Sequence, residues 1–223
     1  MCFSPEADLI GGVLISAIGI DTLRHVKGRR NHTALALLPV MLGAHQFVEA
    51  FVWWGLRGDI NADLGTVATW IYLLFAFVVL PTYVPLGVWA IEPPGKRRNA
   101  VLAFVVLGAA VSITLFGFML RGPVTATLHP HHLGYHTGLA ATGVIVSAYV
   151  LAVCGALVLS GYRNVAIFGV VNFVAVVVLA NLTIEGFASL WCAWAAVTAG
   201  ALAAHLRWSG PIRSIPRAPL IPI

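Results

Sequence analysis

His45 and Glu49 stand four residues apart inside a long apolar stretch, a spacing that puts an imidazole and a carboxylate on one face of a helix. Gln46 and Trp53 flank that face. Such a pair can hold a divalent metal through nitrogen and oxygen, or it can relay a proton. The plain alternative is a hydrogen-bonded pair that fixes helix packing. Ionisable groups at membrane depth are costly to insert and mark functional sites by default, so we take the pair as a candidate site. Asn181, Thr183 and Glu185 end a later apolar stretch, and Ser189 and Cys192 follow. Glu185 approaches from the same side as Glu49. The candidate catalytic residues are therefore Glu49, Glu185 and Ser189. Asp8 lies near the N-terminus, where an acid in a first helical turn complements the helix dipole and Ser4-Pro5-Glu6 resembles a cap. That argument favours a helix-end role for Asp8, with a place at the site as the alternative.

Four of the eight histidines, His129, His131, His132 and His136, fall between Leu128 and Gly138. A short His-rich tract suggests metal binding. The spacing allows His132 and His136 to share a helical face leading into the fifth helix and the tract to form a lid over the His45 pair; the plain alternative is a set of solvated loop histidines. The candidate metal ligands are then His45, Glu49, His132 and His136, for zinc or a similar divalent transition metal.

These residues need an architecture to hold them, and composition supplies it. The chain has 223 residues, 60% hydrophobic and 9% charged, with mean hydropathy +0.92. Soluble domains carry about 25% charged residues. A soluble enzyme is excluded by the shortage of charge, and disorder by the high hydrophobicity. Seven apolar stretches, near 7–24, 33–57, 64–91, 99–120, 138–160, 164–184 and 187–207, are each long enough for the ~20 residues of a spanning helix. The expectation is an all-α bundle of seven transmembrane helices over 1–207, followed by a Pro-rich cytoplasmic tail over 208–223. Pro81 and Pro85 should kink the third helix, with neighbouring helices satisfying the freed carbonyls.

Charge sets the orientation. With the N-terminus outside, Arg24, Lys27, Arg29, Arg30, Lys96, Arg97, Arg98, Arg163, Arg207, Arg213 and Arg217 lie inside. These are 11 of the 13 basic residues; Arg57 and Arg121 lie outside. That bias predicts N-out, C-in. The first stretch has its basic cluster after the apolar run, unlike a secretory signal, and reads as a retained helix. Small residues four apart, Gly12 and Ser16, Gly143 and Ser147, and Ala196, Gly200 and Ala204, mark expected packing seams. Asn172 alone on its helix suggests a hydrogen bond across to a neighbour.

Several chemistries are absent. Lys27 and Lys96 lie in loops, which leaves no intramembrane lysine for a Schiff base, and there is no phosphate-binding glycine loop or C-x-x-C. No basic stripe interleaved with aromatics points to nucleic acid. Cys2 and Cys192 fall on the outer side, where a disulfide between them is chemically permitted, whereas Cys154 is too deep to reach either.

Met1-Cys-Phe-Ser, His45-Gln-Phe-Val-Glu49 with Trp53-Trp54, and the stretch from Glu185 to Cys192 resemble a family of bacterial multipass membrane proteins of unknown function. That resemblance implies a membrane fold in the bacterial plasma membrane. A fainter similarity is to the seven-helix metal hydrolases typified by alkaline ceramidases and adiponectin receptors. It rests on helix count and on His45, and implies an intramembrane zinc. Those hydrolases carry a serine one turn before the helix-two histidine, where Met41 stands here, and a histidine pair on the last helix, where Ala201 precedes His205. The resulting expectation is a membrane enzyme with an outward-facing His/Glu site, a metal-dependent hydrolase of a lipid-like substrate among membrane lipids. A proton- or cation-coupled transporter, or a non-catalytic subunit of a membrane complex, is the alternative.

Overall fold

The computed structural model describes residues 4–26, 30–129, 132–138 and 142–182, together with Trp194, Thr198, Gly200 and Ala203. Six helices account for most of these residues: α1 (Pro5–His25), α2 (Arg30–Arg57), α3 (Ala62–Ile91), α4 (Lys96–Arg121), α5 (Thr142–Leu159) and α6 (Arg163–Leu182). They correspond to the first six apolar stretches. Only four residues of the seventh are described, and the tail over 208–223 lies outside the described residues. One segment departs from an all-helical reading. Between α4 and α5, β1 (Thr125–Leu128) and β2 (Leu133–His136) pair antiparallel, with Thr125 opposite His136 and Thr127 opposite Gly134. His132 and His136 therefore sit on a β-hairpin and share no helical face.

Three of the helices, α2, α3 and α4, are long and apolar enough to cross a membrane. Each helix buries one stripe. In α1 it is Pro5, Asp8, Gly12, Ile15, Gly19 and Thr22, spaced three or four apart. The opposite faces are apolar too: Val106, Ile113 and Leu120 of α4 are 64%, 74% and 64% exposed. Aliphatic surface on this scale is not what water-facing helices carry.

Consecutive helices run antiparallel and very close. A Cβ on Gly12 would meet Gly43 O at 3.0 Å, and one on Gly43 would meet the Ser16 side chain, so the predicted Gly12/Ser16 seam is where α1 meets α2. Gly55 and Gly65 bring α2 and α3 into backbone contact in the same way. Gly200 lies against Ile15 and Ile18 of α1. Gly143 and Ser147 are exposed, and among the described residues nothing lies within 4 Å of a Cβ on Gly143.

α3 touches α2, α4 and α5 and organises the bundle. Pro81 has no N–H to give, and the helix widens ahead of it into a π turn over Leu74–Val79, with the Leu80 N–H bonded to Phe75 O. Neighbours satisfy the loosened carbonyls. Tyr149 of α5 donates to Ala76 O at 2.8 Å, and Ser112 of α4 donates to Val78 O at 2.7 Å. Asn172 instead donates to Phe168 O of its own helix, against the interhelical bond expected.

Candidate functional site

The glycine crossings squeeze α1, α2 and α3 together at the end of the bundle that carries the hairpin. Polar side chains are caught between them. His45, Gln46 and Glu49 of α2 are buried, Glu49 completely, and Asp8 of α1 is also 0% exposed. The α1 stripe places Asp8 one turn beyond Gly12, alongside α2 past Gly43, so it reaches the level of Gln46 to Trp53. Ser4 caps α1 as expected, its hydroxyl accepting from the Ala7 N–H at 3.3 Å. Asp8 does not share that exposed role, because the helix turns it inward. The Trp53 indole faces the Asp8 carboxyl.

What distinguishes this set is what it lacks. Among the described residues, neither carboxylate oxygen of Asp8 makes a hydrogen bond within 3.5 Å, the Trp53 indole facing it without closing to that distance; the same holds for His45 Nε2, both polar atoms of the Gln46 amide and Trp53 Nε1. Buried polar groups in folded proteins are almost always paired. Six such atoms flank Glu49, whose own contacts are made.

Aromatic rings fix the imidazole. His45 stacks on Tyr72 of α3 with centroids 4.0 Å apart and planes 16° from parallel, and Phe75 covers it at 4.5 Å. Tyr72 in turn stacks on Tyr135 of β2 at 4.6 Å. A column of three rings thus runs from the hairpin into the site. Leu133 beside it is wholly buried. The hairpin closes over the helix-two pair through Tyr135, and His136 is exposed.

Beneath the site, away from the hairpin, the packing turns aliphatic: Ile15, Leu38, Leu42, Leu80, Val84 and Val88 form one core cluster. A cavity of about 30 Å³ lies within that layer, between Leu38, Leu80, Tyr149 and Asn172. It has room for a water molecule.

Among the described residues, no three His, Cys, Asp or Glu side chains are grouped to hold a metal ion. Glu185, Ser189, Cys2 and Cys192 lie outside the described residues. Cys154 is a buried free thiol. Asp8 lies in the first turn of α1 and is turned inward; the ring column is not legible in the sequence, because Tyr72 and Tyr135 are far apart in the chain and only the fold stacks them.

Sequence comparison adds one fact. The chain belongs to DUF6629, a family of unknown function. The family's profile matches residues 1–215. No curated protein and no solved structure matches the chain. Membership in DUF6629 names no chemistry, so the site itself must be the argument.

Proposed function

We propose that this DUF6629 protein is a multipass membrane protein of seven spanning helices, N-terminus outside and C-terminus in the cytoplasm, in the bacterial plasma membrane. We propose further that its outer half holds an acid–base site made by Asp8, His45 and Glu49, acting on a lipid-like substrate drawn from the membrane. The outward-facing aliphatic surfaces of α1, α4 and α6 support the first part, as does the charge bias between loops. The observation that carries the second is the set of orphaned buried atoms on Asp8, His45, Gln46 and Trp53. An unpaired buried polar group costs about 1–3 kcal/mol. Several together are tolerated where they serve a ligand or a proton. Glu185 and Ser189 remain proposed helpers from the following stretch.

The aliphatic layer beneath the site favours chemistry entered from one side over a conducting path. A transport route needs polar groups through both halves. The test is a pair of measurements on protein in lipid nanodiscs and liposomes. Lipid extract incubated with the protein should yield a new product by mass spectrometry, lost in His45→Gln and in Asp8→Asn. Proton and cation flux into proteoliposomes should equal that of empty liposomes. Flux that depends on His45, with no lipid product, would replace the enzyme reading by the transporter.

A second reading is a metal hydrolase, with zinc on His45 and Glu49. The orphaned His45 Nε2 favours it, because neutral imidazole is an apt zinc ligand. Elemental analysis then finds zinc that His45→Ala releases and hairpin substitutions leave in place.

A further inference from the structure

The hairpin has two faces, and only one belongs to the site just described. Leu133 and Tyr135 point inward, Tyr135 on the Tyr72 ring. Strand alternation puts Thr127 and His129 with Gly134 and His136 on the other face. There the two imidazoles converge. Thr127 Oγ1 lies 3.3 Å from His129 Nε2 and 3.4 Å from His136 Nε2. The register explains how. Thr127 is directly opposite Gly134, and His136 is its diagonal neighbour. A Cβ at position 134 would lie 2.6 Å from Thr127 Oγ1 and 2.9 Å from His129 Nε2. The missing side chain of Gly134 is what lets both rings lean over the same spot. His132 stacks on His129 at 4.6 Å, 10° from parallel, and holds that ring's plane.

We infer that this outer hairpin face is a binding site for a divalent transition-metal ion, held by His129 and His136 across the two strands and separate from the His45 site. Two imidazole nitrogens aimed at one point suit zinc, nickel or copper. A small swing of each ring from the Thr127 hydroxyl would place both near 2.0–2.1 Å from a shared ion. The Thr127 hydroxyl then hydrogen-bonds a metal-bound water. Water completes the remaining positions, so the site takes exchangeable metal from outside the membrane.

The experiment uses the full-length protein in detergent with its affinity tag removed, titrated calorimetrically with zinc chloride or nickel chloride alone. One equivalent is expected. Gly134→Ala, which keeps both imidazoles in the chain but pushes the His129 ring off the shared spot, should remove it, and so should His136→Gln. Apo melting temperatures of both variants should match the parent. His45→Gln should retain the equivalent, so loss of the His45 function and loss of the hairpin metal are told apart. Retention of the equivalent in either hairpin variant would overturn the site; so would its loss in His45→Gln alone.

Discussion

The two ends of this bundle each bury carboxylates, and they treat them in opposite ways. At the end away from the hairpin, Glu92 closes α3, 4% exposed. Its Oε1 accepts from the Ser160 hydroxyl at 2.8 Å and from the Gly161 N–H at 2.7 Å, in the turn between α5 and α6. Tyr162 completes the turn by donating its hydroxyl to Ile91 O at 3.2 Å. Arg98 stacks on Trp89 at 4.0 Å beside it. At the hairpin end Asp8 is equally buried, and among the described residues neither of its oxygens makes a close hydrogen bond. The same functional group is thus a rivet at one end and, among the described residues, without a close hydrogen bond at the other. Burial alone does not mark a site. Burial without partners does.

Glu92→Ala should produce the largest effect on stability. It strips the acceptor from two buried donors, the Ser160 hydroxyl and the Gly161 N–H, each unmade bond costing about 1–3 kcal/mol. Together that is about 3 kcal/mol, read as a fall in the thermal midpoint in detergent. Glu92→Gln keeps an acceptor oxygen and should lose about 1 kcal/mol, because charge-assisted bonds are roughly twice as strong as neutral ones. A Glu92→Ala protein that melts with the parent would mean that the rivet holds nothing.

Asp8→Asn is the counterpart. Asparagine keeps the shape of the side chain and an oxygen facing the Trp53 indole, so the midpoint should stay within about 1 kcal/mol of the parent, while the proposed chemistry of the site is lost. A drop of about 2 kcal/mol would put Asp8 in the same class as Glu92, as a structural hydrogen-bonding residue.

Much of the fold was open to reading, because an apolar run of spanning length needs no periodicity to be recognised. The first six stretches became helices, and α3 kept its course through Pro81 because Tyr149 and Ser112 supply the missing donors. The hairpin was hidden for a definite reason. Its strands are four residues each, too short to carry an alternation signal, and His132 and His136 happen to stand at a helical interval. Asp8 carries two readings in the sequence, since an acid in a first turn is also a dipole partner, and its burial follows from the face of α1 that packs on α2. Glu92 sits before Pro93-Pro94-Gly95, which reads as a solvated loop until the α5–α6 turn is seen packed on it. In each case the deciding contact joins residues distant in the chain.

The gentlest test of the comparison is a titration at the riveted end. Burial lifts the Tyr162 phenol above the ordinary tyrosine value near 10, and the Glu92 carboxylate lifts it further. Ultraviolet titration of the parent minus Tyr162→Phe should isolate one of the five tyrosines, ionising later than a free phenol. Because burial is the larger cause, Glu92→Gln should bring that ionisation only part of the way down. The sign for stability follows. A group whose value is raised by folding contributes fully below about pH 10, and that contribution is lost as pH rises through the folded value. An ordinary titration near 10 in the parent would show water reaching Tyr162, and with it the Glu92 bonds. The contrast between a satisfied and an unsatisfied carboxylate would then weaken at its better-bonded end.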